Sequence, residues 1–440
     1  YTKIMRYLIS LFLAGFTLSA SAQVRPAFLV KTNEAWVDSI FNTLSVDDKV
    51  GQILMPRGNF SGRTYEPEKL KAWVKEYKLG GIVFFAGQPT VQASIANELQ
   101  ALSKVPMLVG VDMEWGLAMR LDSTVRFPYQ MALGAMQGGE DLLYRMGVEV
   151  GKQSKRMGIH VNYAPVVDIN NNPKNPVINF RSFGEDKLNV ANKSLAYMQG
   201  MQSQNLLTSA KHFPGHGDTG VDSHYDLPVI PHSKEYLMEN ELFPFKYLIK
   251  NGISGIMTAH LNIPSLESKA GLASTFSPQI LGKLLREELG FQGLTFTDAM
   301  DMQGAVKNYK PGEAMVEAFL AGNDILETFM DVPVAFNALK SAVESGKIPM
   351  SLLDERVKRI LKAKAWVGLD RYRPVKLEGL IEDLNTKESD LLNRLMAEKT
   401  LVALNDKALP VQDLRKPTLA ISIGDERTTA FQDMAARYTQ

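Results

Sequence analysis

Residues 206–224 read LLTSAKHFPGHGDTGVDSH, an apolar run followed by a polar loop. The apolar part, residues 206–210, is typical of a short buried strand. Pro214 and the glycines at positions 215, 217 and 220 rule out a regular helix after it. Lys211 and His212 should therefore lie at the end of a strand, where a loop on a rigid scaffold commonly carries binding or catalytic groups.

The rest of the chain repeats this unit, because short apolar runs alternate with amphipathic stretches. Strands alternating with helices predict a parallel sheet. Eight such units in 440 residues favour a closed (β/α)8 barrel, whose strands are buried on both faces, over a doubly wound open sheet. The predicted strands are residues 52–55, 81–85, 107–112, 160–165, 206–212, 252–260, 293–298 and 323–328, with helical patterns at 67–78, 91–103, 142–157, 234–250, 278–289 and 332–346.

Polar side chains that could perform chemistry cluster at the C-terminal ends of the predicted strands. The rim formed by these ends holds the active site in barrel enzymes, so the clustering favours an enzyme. The residues concerned are Asp112, Lys211, His212, His260, Asp298 and Glu327.

The N-terminal residues and the overall charge limit where the protein acts and what it binds. Residues 1–22 combine Lys3 and Arg6, an apolar run at 7–18 and the sequence SASA, which is typical of a secretory signal. The apolar run is shorter than the ~20 residues of a membrane span. We expect cleavage after Ala22 and export to the periplasm or the medium. The 49 Lys+Arg against 48 Asp+Glu give no basic excess, so no nucleic-acid partner is expected.

The sequence predicts four segments. A signal peptide at 1–22 precedes a barrel domain at 33–370 and a linker at 371–390. Residues 391–440 are expected to begin a truncated α/β sandwich domain, with a helix near 388–404 and an apolar strand at 417–423.

Four motifs in order along the chain resemble those of glycoside hydrolase family 3, in its β-N-acetylglucosaminidase branch. They are GVDMEWG at 110–116, NFRSFGED at 179–186, KHFPGHGDTGVDSH at 211–224 and FTDAMDM at 296–302. The resemblance covers about residues 35–370 and the outline of the second domain. It implies a (β/α)8 barrel that releases terminal β-GlcNAc with retention of configuration and without a cofactor.

Retaining hydrolysis needs a carboxylate that attacks the anomeric carbon and a second group that protonates the leaving oxygen. On the residues alone, Asp298 could be that carboxylate or a helix N-cap. The family's nucleophile stands in a strand-terminal (S/T)-D-x-(L/M)-x-M pattern, which residues 297–302 match. The resemblance therefore implies that Asp298 is the nucleophile, whereas Asp301 should point elsewhere.

Asp222 and His224 are the candidates for the second group. Residues i and i+2 of an extended backbone face the same side, so the two side chains can touch. A carboxylate on one imidazole nitrogen fixes the tautomer and raises the basicity of the other nitrogen. An isolated D-x-H could also be a chance pair in a solvated loop. In the resembled branch an Asp–His dyad replaces the usual carboxylic acid, which implies that His224, oriented by Asp222, is the acid/base.

Five further residues match, position by position, those that hold the non-reducing-end sugar in the resembled branch. Carboxylates, Arg and Lys are suited to paired hydrogen bonds with neighbouring hydroxyls. Taken singly, Arg181 could instead pair with Glu185 or Asp186, and Arg120 could be an exposed helix charge. The resemblance implies that the sugar is bound by Asp112, Arg120, Arg181, Lys211 and His212.

Three other residues near these motifs have separate expectations. Trp115 stands where the family commonly has glycine, and it could offer an apolar platform to the next sugar. His216 and Asp218 are expected to hold the loop. The loop's histidines and aspartates could in principle bind a metal, but Pro214 and Gly215 prevent helical i, i+4 pairing and no H-E-x-x-H occurs. We expect no metal.

Several functions stay open at this stage. A family 3 β-glucosidase or β-xylosidase would take its acid, a Glu, from the second domain. A GlcNAc-glycoside phosphorylase is possible because a histidine acid/base does not repel phosphate as a carboxylate would. A non-catalytic carbohydrate-binding protein would not need both Asp298 and the dyad. The expected partner is a small carbohydrate with a terminal β-GlcNAc, derived from peptidoglycan, chitin or host glycans; the oligomeric state is not predicted.

Overall fold

The computed structural model describes residues 23–58, 66–220, 227–301, 309–328, 331–401, 415, 421 and 428–438. The chain forms two compact units, Tyr1–Thr400 and Leu401–Gln440. The predicted signal peptide, residues 1–22, lies outside the described residues, so export stays a prediction. In the described part of the chain, no helix is both long and apolar enough to cross a bilayer.

The first unit is built on a parallel sheet that the structure describes with eight strands. Neighbouring strands pair in the order β7-β6-β5-β4-β3-β2-β1-β8. The strands are β1 Leu54–Gly58, β2 Gly81–Phe84, β3 Leu108–Val111, β4 Val161–Asn162, β5 Leu207–Phe213, β6 Gly255–Thr258, β7 Leu294–Thr297 and β8 Leu326–Thr328.

Hydrogen bonds between β7 and the start of β8 close the sheet into a barrel. The N–H of Thr297 donates to the Ile325 carbonyl at 3.1 Å, and the N–H of Ile325 donates to the Thr295 carbonyl at 3.0 Å. The predicted parallel barrel is therefore confirmed, and the doubly wound open sheet is wrong. Each predicted strand overlaps an observed one, because strands covered on both faces consist of continuous apolar runs.

A buried carboxylate fixes the seam between β7 and β8 at its N-terminal end. One oxygen of Asp324 accepts hydrogen bonds from the Thr295 N–H at 2.9 Å and from the Arg286 guanidinium at 2.7 Å. A fully buried carboxylate such as Asp324 is stable only when its charge is paired and its hydrogen bonds are satisfied. The seam matters because its C-terminal end carries Asp298 and Glu327.

Helices of the unit Tyr1–Thr400 surround the barrel, most of them between successive strands. The helical pattern at 234–250 proves to be two helices: the first ends at a turn near Asn240, and the second begins at Phe243 with Pro244 in its first turn. The described helices are α1 Glu34–Phe41, α2 Val46–Gln52, α3 Pro67–Tyr77, α4 Pro89–Leu102, α5 Gln130–Gly134, α6 Glu140–Met157, α7 Lys187–Ser203, α8 Lys234–Glu239, α9 Phe243–Lys250, the π-helical α10 Gln279–Glu288, α11 Glu313–Ala321, α12 Val332–Glu344, α13 Met350–Trp366, α14 Leu380–Leu384, α15 Lys387–Lys399 and α16 Ala430–Ala435.

Residues 371–390, predicted as a linker, pack against the barrel unit. Arg156 of α6 donates to the carbonyls of Lys376 and Glu378 at 2.6 and 2.9 Å, and to the Asp383 carboxylate at 2.7 Å. The helix predicted near 388–404 corresponds to α15. In the unit Leu401–Gln440 the helix α16 is described, and apart from Ile421 the predicted strand 417–423 lies outside the described residues. The second domain stays a prediction.

Candidate active site

A cavity of about 310 Å³ opens at the C-terminal ends of the barrel strands. Six of the eight predicted site residues line it, from positions far apart in the sequence. The other two, Asp222 and His224, lie outside the described residues, so the proposed dyad stays a prediction. The six lining residues are Asp112, Arg120, Arg181, Lys211, His212 and Asp298.

One wall of the cavity is a network of charges centred on Asp112. Its two oxygens accept hydrogen bonds from Lys211 at 2.7 Å and from Arg120 at 2.6 Å. The Arg120 guanidinium also lies 3.8 Å from the ring centroid of Phe85, so it is not an exposed helix charge. Burial alone would raise the pKa of Asp112, but the charges of Lys211 and Arg120 outweigh burial and hold the pKa well below its usual range.

Glu114 is a buried member of this network that the sequence analysis did not select. Its carboxylate accepts from Lys211 at 2.9 Å and from Arg181 at 2.7 and 3.0 Å, the two-point geometry that guanidinium favours. Arg181 therefore pairs with Glu114, and not with Glu185 or Asp186. Burial raises the pKa of Glu114, but Arg181 and Lys211 lower it to a net value below the usual range. The sequence signal that could have identified Glu114 is its position two residues after Asp112, in the motif GVDMEWG.

A second carboxylate that the sequence analysis did not select, that of Asp168, supports the segment 211–216. It is buried, and it lies 2.7 Å from His212 Nδ1. It also accepts the backbone N–H of His216 at 2.7 Å. His212 Nε2 lies 3.4 Å from the Arg181 guanidinium. Asp168 therefore orients the imidazole toward the cavity and ties the following loop to the barrel.

Asp298 stands just after β7 with its backbone and side chain fixed. Its N–H donates to the Thr258 carbonyl at 3.0 Å, and its Oδ1 accepts the N–H of Ala299 at 2.7 Å. Burial raises the pKa of Asp298, but the His212 and His260 side chains and the Ala299 N–H give a net lowering. The carboxylate is therefore ionised at neutral pH, as a nucleophile must be.

His260 braces the loop that carries Asp298. The imidazole is buried, with Nδ1 2.9 Å from Thr275 Oγ1 and Nε2 3.1 Å from the Ala299 carbonyl. A carbonyl oxygen can only accept, so Nε2 carries a hydrogen. His260 was noted as a strand-end residue, and the geometry makes it a support of Ala299, the residue after Asp298.

The remaining loop residues hold local structure. His216 Nδ1 lies 2.8 Å from Thr219 Oγ1, and burial with the nearby His212 lowers the pKa of His216 to about 4. Asp218 accepts from His232 at 2.6 Å. These contacts agree with the expected role of His216 and Asp218 in holding the loop. Within the described residues, no group of three His, Asp or Glu could hold a metal ion.

Trp115 packs against other aromatic residues near the cavity. Its ring is edge-on to Tyr129, with centroids 4.8 Å apart, and lies 6.2 Å from Phe180. Phe180 is 43% exposed and precedes Arg181 in the chain. The predicted platform for a second sugar stays a prediction.

We expect Glu114→Ala to destabilise the barrel and to weaken sugar binding. The change removes one partner of a fully buried ion pair and leaves Arg181 and Lys211 with one carboxylate fewer, which typically costs about 3–5 kcal/mol. Urea unfolding monitored by circular dichroism measures this loss, and KM should rise in parallel. Glu68→Ala is the matched control, because Glu68 is 84% exposed in its pair with Lys71. An unfolding free energy for Glu114→Ala equal to that of the control contradicts the assignment.

Comparisons with known proteins agree with this geometry. The family described as "Glycosyl hydrolase family 3 N terminal domain" matches residues 45–363. The chain is 34% identical to "Beta-hexosaminidase A" of Pseudoalteromonas piscicida, over 89% of this chain and 70% of that protein.

Two solved structures also match closely. A glycoside hydrolase family 3 β-N-acetylglucosaminidase from Paenibacillus sp. str. FPU-7 has a TM-score of 0.75 and 35% identity, and the match covers 81% of this chain and 69% of that one. The "Beta-glucoside phosphorylase BglX" bound to 2FGlc has a TM-score of 0.81 and 25% identity, over 89% and 71%. The family match over most of the barrel, together with these similarities, shows that the chain belongs to glycoside hydrolase family 3.

Proposed function

We propose that this protein is a retaining exo-β-N-acetylglucosaminidase that releases terminal β-GlcNAc. The observation that carries the proposal is the cavity itself, in which the ionised Asp298 and the charge network around Asp112 line the same space. At about 310 Å³ the cavity is near the lower end of the roughly 300–1,000 Å³ of small-molecule sites. A space of this size suits one sugar ring.

The charge network around Asp112 is assigned to the end of the sugar that lies far from the scissile bond. The hydroxyls far from the scissile bond would bind to Asp112, Arg120 and Lys211, whose hydrogen-bonding groups are already arranged in pairs. Arg181 and His212 lie beside them, and Glu114 and Asp168 hold these two in place. Because these side chains are held by one another and by buried carboxylates, little side-chain ordering is expected on binding.

The proposed reaction is a double displacement. Asp298 attacks the anomeric carbon, and the bond to the leaving oxygen breaks as His224 transfers a proton to that oxygen. In the second step His224 takes a proton from water, the water oxygen attacks the anomeric carbon, and the Asp298 carboxylate leaves. Asp222 is the residue expected to orient His224.

The choice of GlcNAc rests on the relatives and on the loop sequence. The relatives named above include a β-hexosaminidase and a β-N-acetylglucosaminidase. The Asp222-x-His224 pair belongs to the same branch by resemblance. The source of the terminal GlcNAc, whether peptidoglycan, chitin or host glycan, is not assigned.

Phosphorolysis is the second candidate, favoured by the likeness to a β-glucoside phosphorylase. Four cationic side chains, those of Arg57, Arg120, Arg181 and Lys211, line the cavity. A histidine acid/base, unlike a carboxylate, would not repel a phosphate anion that approaches next to Asp298. In that reaction phosphate replaces water in the second step, and the product is a sugar 1-phosphate.

The test is a panel of p-nitrophenyl β-glycosides assayed with and without inorganic phosphate. We expect clear release from the GlcNAc substrate, weak release from the glucose and xylose substrates, and free GlcNAc as the product in both buffers. Chromatography distinguishes GlcNAc from GlcNAc 1-phosphate. A phosphate-dependent rate with GlcNAc 1-phosphate as product makes the enzyme a phosphorylase, and equal activity on glucose contradicts the GlcNAc assignment.

A further inference from the structure

Glu327 is a cavity residue to which neither the sequence nor the proposed mechanism gives a role. It lies in β8, the strand beside the one that carries Asp298, and it lines the same cavity while being only 4% exposed. Its backbone N–H donates to Thr297 Oγ1 at 2.9 Å, and its carbonyl accepts the N–H of Met300 at 3.2 Å. These two bonds join the backbone of Glu327 to residues on either side of Asp298 in the sequence. The position of Glu327 relative to Asp298 is therefore fixed.

The Glu327 carboxyl has few polar contacts within the described residues. The Arg57 guanidinium lies 3.5 Å from Oε1, the outer limit of a hydrogen bond. The same guanidinium lies 4.5 Å from the ring centroid of Phe85. Most of the hydrogen-bonding capacity of the carboxyl is thus left for a ligand in the cavity.

The surroundings of Glu327 disfavour its ionised form. Burial raises its pKa to about 8, the carboxylates of Asp112 and Asp298 act in the same direction, and Arg57 and Lys211 oppose them in part. Among the described residues, the buried hydroxyl of Tyr163 is a further titratable group near Glu327. A pKa above neutrality favours the carboxylic acid form, which can donate one hydrogen bond and accept others.

We propose that Glu327 is a specificity-determining residue whose carboxyl group forms a hydrogen bond to a substituent of the bound sugar near its anomeric carbon. The inference rests on the proposed function, which puts the anomeric carbon at Asp298. Asp112, Lys211 and Arg120 bind the far hydroxyls, so a side chain on the strand next to Asp298 faces the ring edge next to the anomeric carbon. The substituents within reach of that edge are the one at C2 and the hydroxymethyl group at C6.

Two variants separate contact from packing. Glu327→Leu keeps the volume and loses the hydrogen bond, and we expect kcat/KM on aryl β-GlcNAc to fall about 10- to 100-fold. Glu327→Gln keeps a donor of similar shape and should stay within a few-fold of wild type. Thermal melting checks that both fold. Glu241→Gln is the matched control, because Glu241 is also buried with a raised pKa but does not line the cavity.

Substrates that lack one group locate the contact. Wild type and Glu327→Leu are compared on p-nitrophenyl glycosides of GlcNAc, glucose, 6-deoxy-GlcNAc and xylose. The substrate without the contacted group should be nearly insensitive to the substitution, whether that group is at C2 or at C6. An equal loss on all four substrates, or no loss on any, overturns the proposal. If wild type prefers glucose, the proposed function fails, but the pattern of sensitivity still tests Glu327.

The pH dependence gives an independent readout. Glu327 is neutral below its pKa of about 8 and ionised above it, so its donor is lost and a charge appears near Asp298 as pH rises. With an activated aryl substrate the leaving group needs no proton, so kcat/KM of wild type should fall through this range while Glu327→Gln stays level. Identical profiles for the two proteins contradict a donor role.

Discussion

Asp298→Ala should lower turnover by on the order of 10⁴-fold or more, because in the proposed mechanism this carboxylate bonds to the anomeric carbon. Among the described residues that line the cavity, the other carboxyl groups differ from Asp298 in their ion-pair partners or in their pKa, so we do not expect them to replace it. Asp112 is bound to Lys211 and Arg120, and burial raises the pKa of Glu327 to about 8, which favours its neutral form at pH 7. The loss should be the same for an aryl glycoside and for a disaccharide, since both need the nucleophile. Initial rates on purified protein measure it.

Asp301→Ala is the matched control for this result. Asp301 is the next carboxylate of the same motif, but it is exposed and does not line the cavity. Its substitution should leave turnover close to wild type. Residual activity of a few per cent in Asp298→Ala, with the fold intact by circular dichroism, would remove Asp298 from the mechanism.

His224→Ala should show the second large effect, and only when the leaving group is poor. A nitrophenolate departs without a proton, whereas a sugar alkoxide does not. We therefore expect a loss of about 10²–10⁴-fold on a GlcNAc disaccharide and a far smaller one on the aryl glycoside. Asp222→Ala should follow the same pattern more mildly, because its proposed role is only to orient the His224 imidazole and raise its basicity.

Comparison of the two substrates is the internal control for the dyad. Asp298→Ala damages both alike, so a general loss of folding or of sugar binding cannot imitate the selective pattern of His224→Ala. An equal loss on both substrates would make His224 a binding or structural residue. The acid/base would then have to come from elsewhere in the chain.

The barrel was predictable from sequence because its strands are buried on both faces and form separate apolar runs. The helix α7, Lys187–Ser203, was not among the helical patterns predicted from the sequence. It buries Lys193 and Ser194 fully, so its inner face is not apolar in sequence. The Lys193 ammonium finds its partners in the Met136 carbonyl and in Glu140, contacts that exist only after folding.

The site residues that belong to a recognisable motif could be predicted from the sequence. The site residues whose partners are remote in the sequence could not. Asp112, Lys211 and Asp298 were found as strand-terminal polar residues of recognisable motifs. Glu114 and Asp168 were missed because their partners are remote in the sequence: Glu114 binds Arg181, 67 residues away, and Asp168 binds His212, 44 residues away. Pairing at such separations is decided by the neighbouring strands of the barrel.

The covalent intermediate on Asp298 is the central claim, and trapping it is the most direct test. A 5-fluoro-N-acetylglucosaminyl fluoride should form the intermediate faster than water removes it, because the fluoride leaves readily and the ring fluorine slows the second step. Peptide mass spectrometry of the inactivated protein should then find one fluorosugar on the peptide that contains Asp298. A label on a different carboxylate, or full inactivation without any covalent label, would contradict the mechanism.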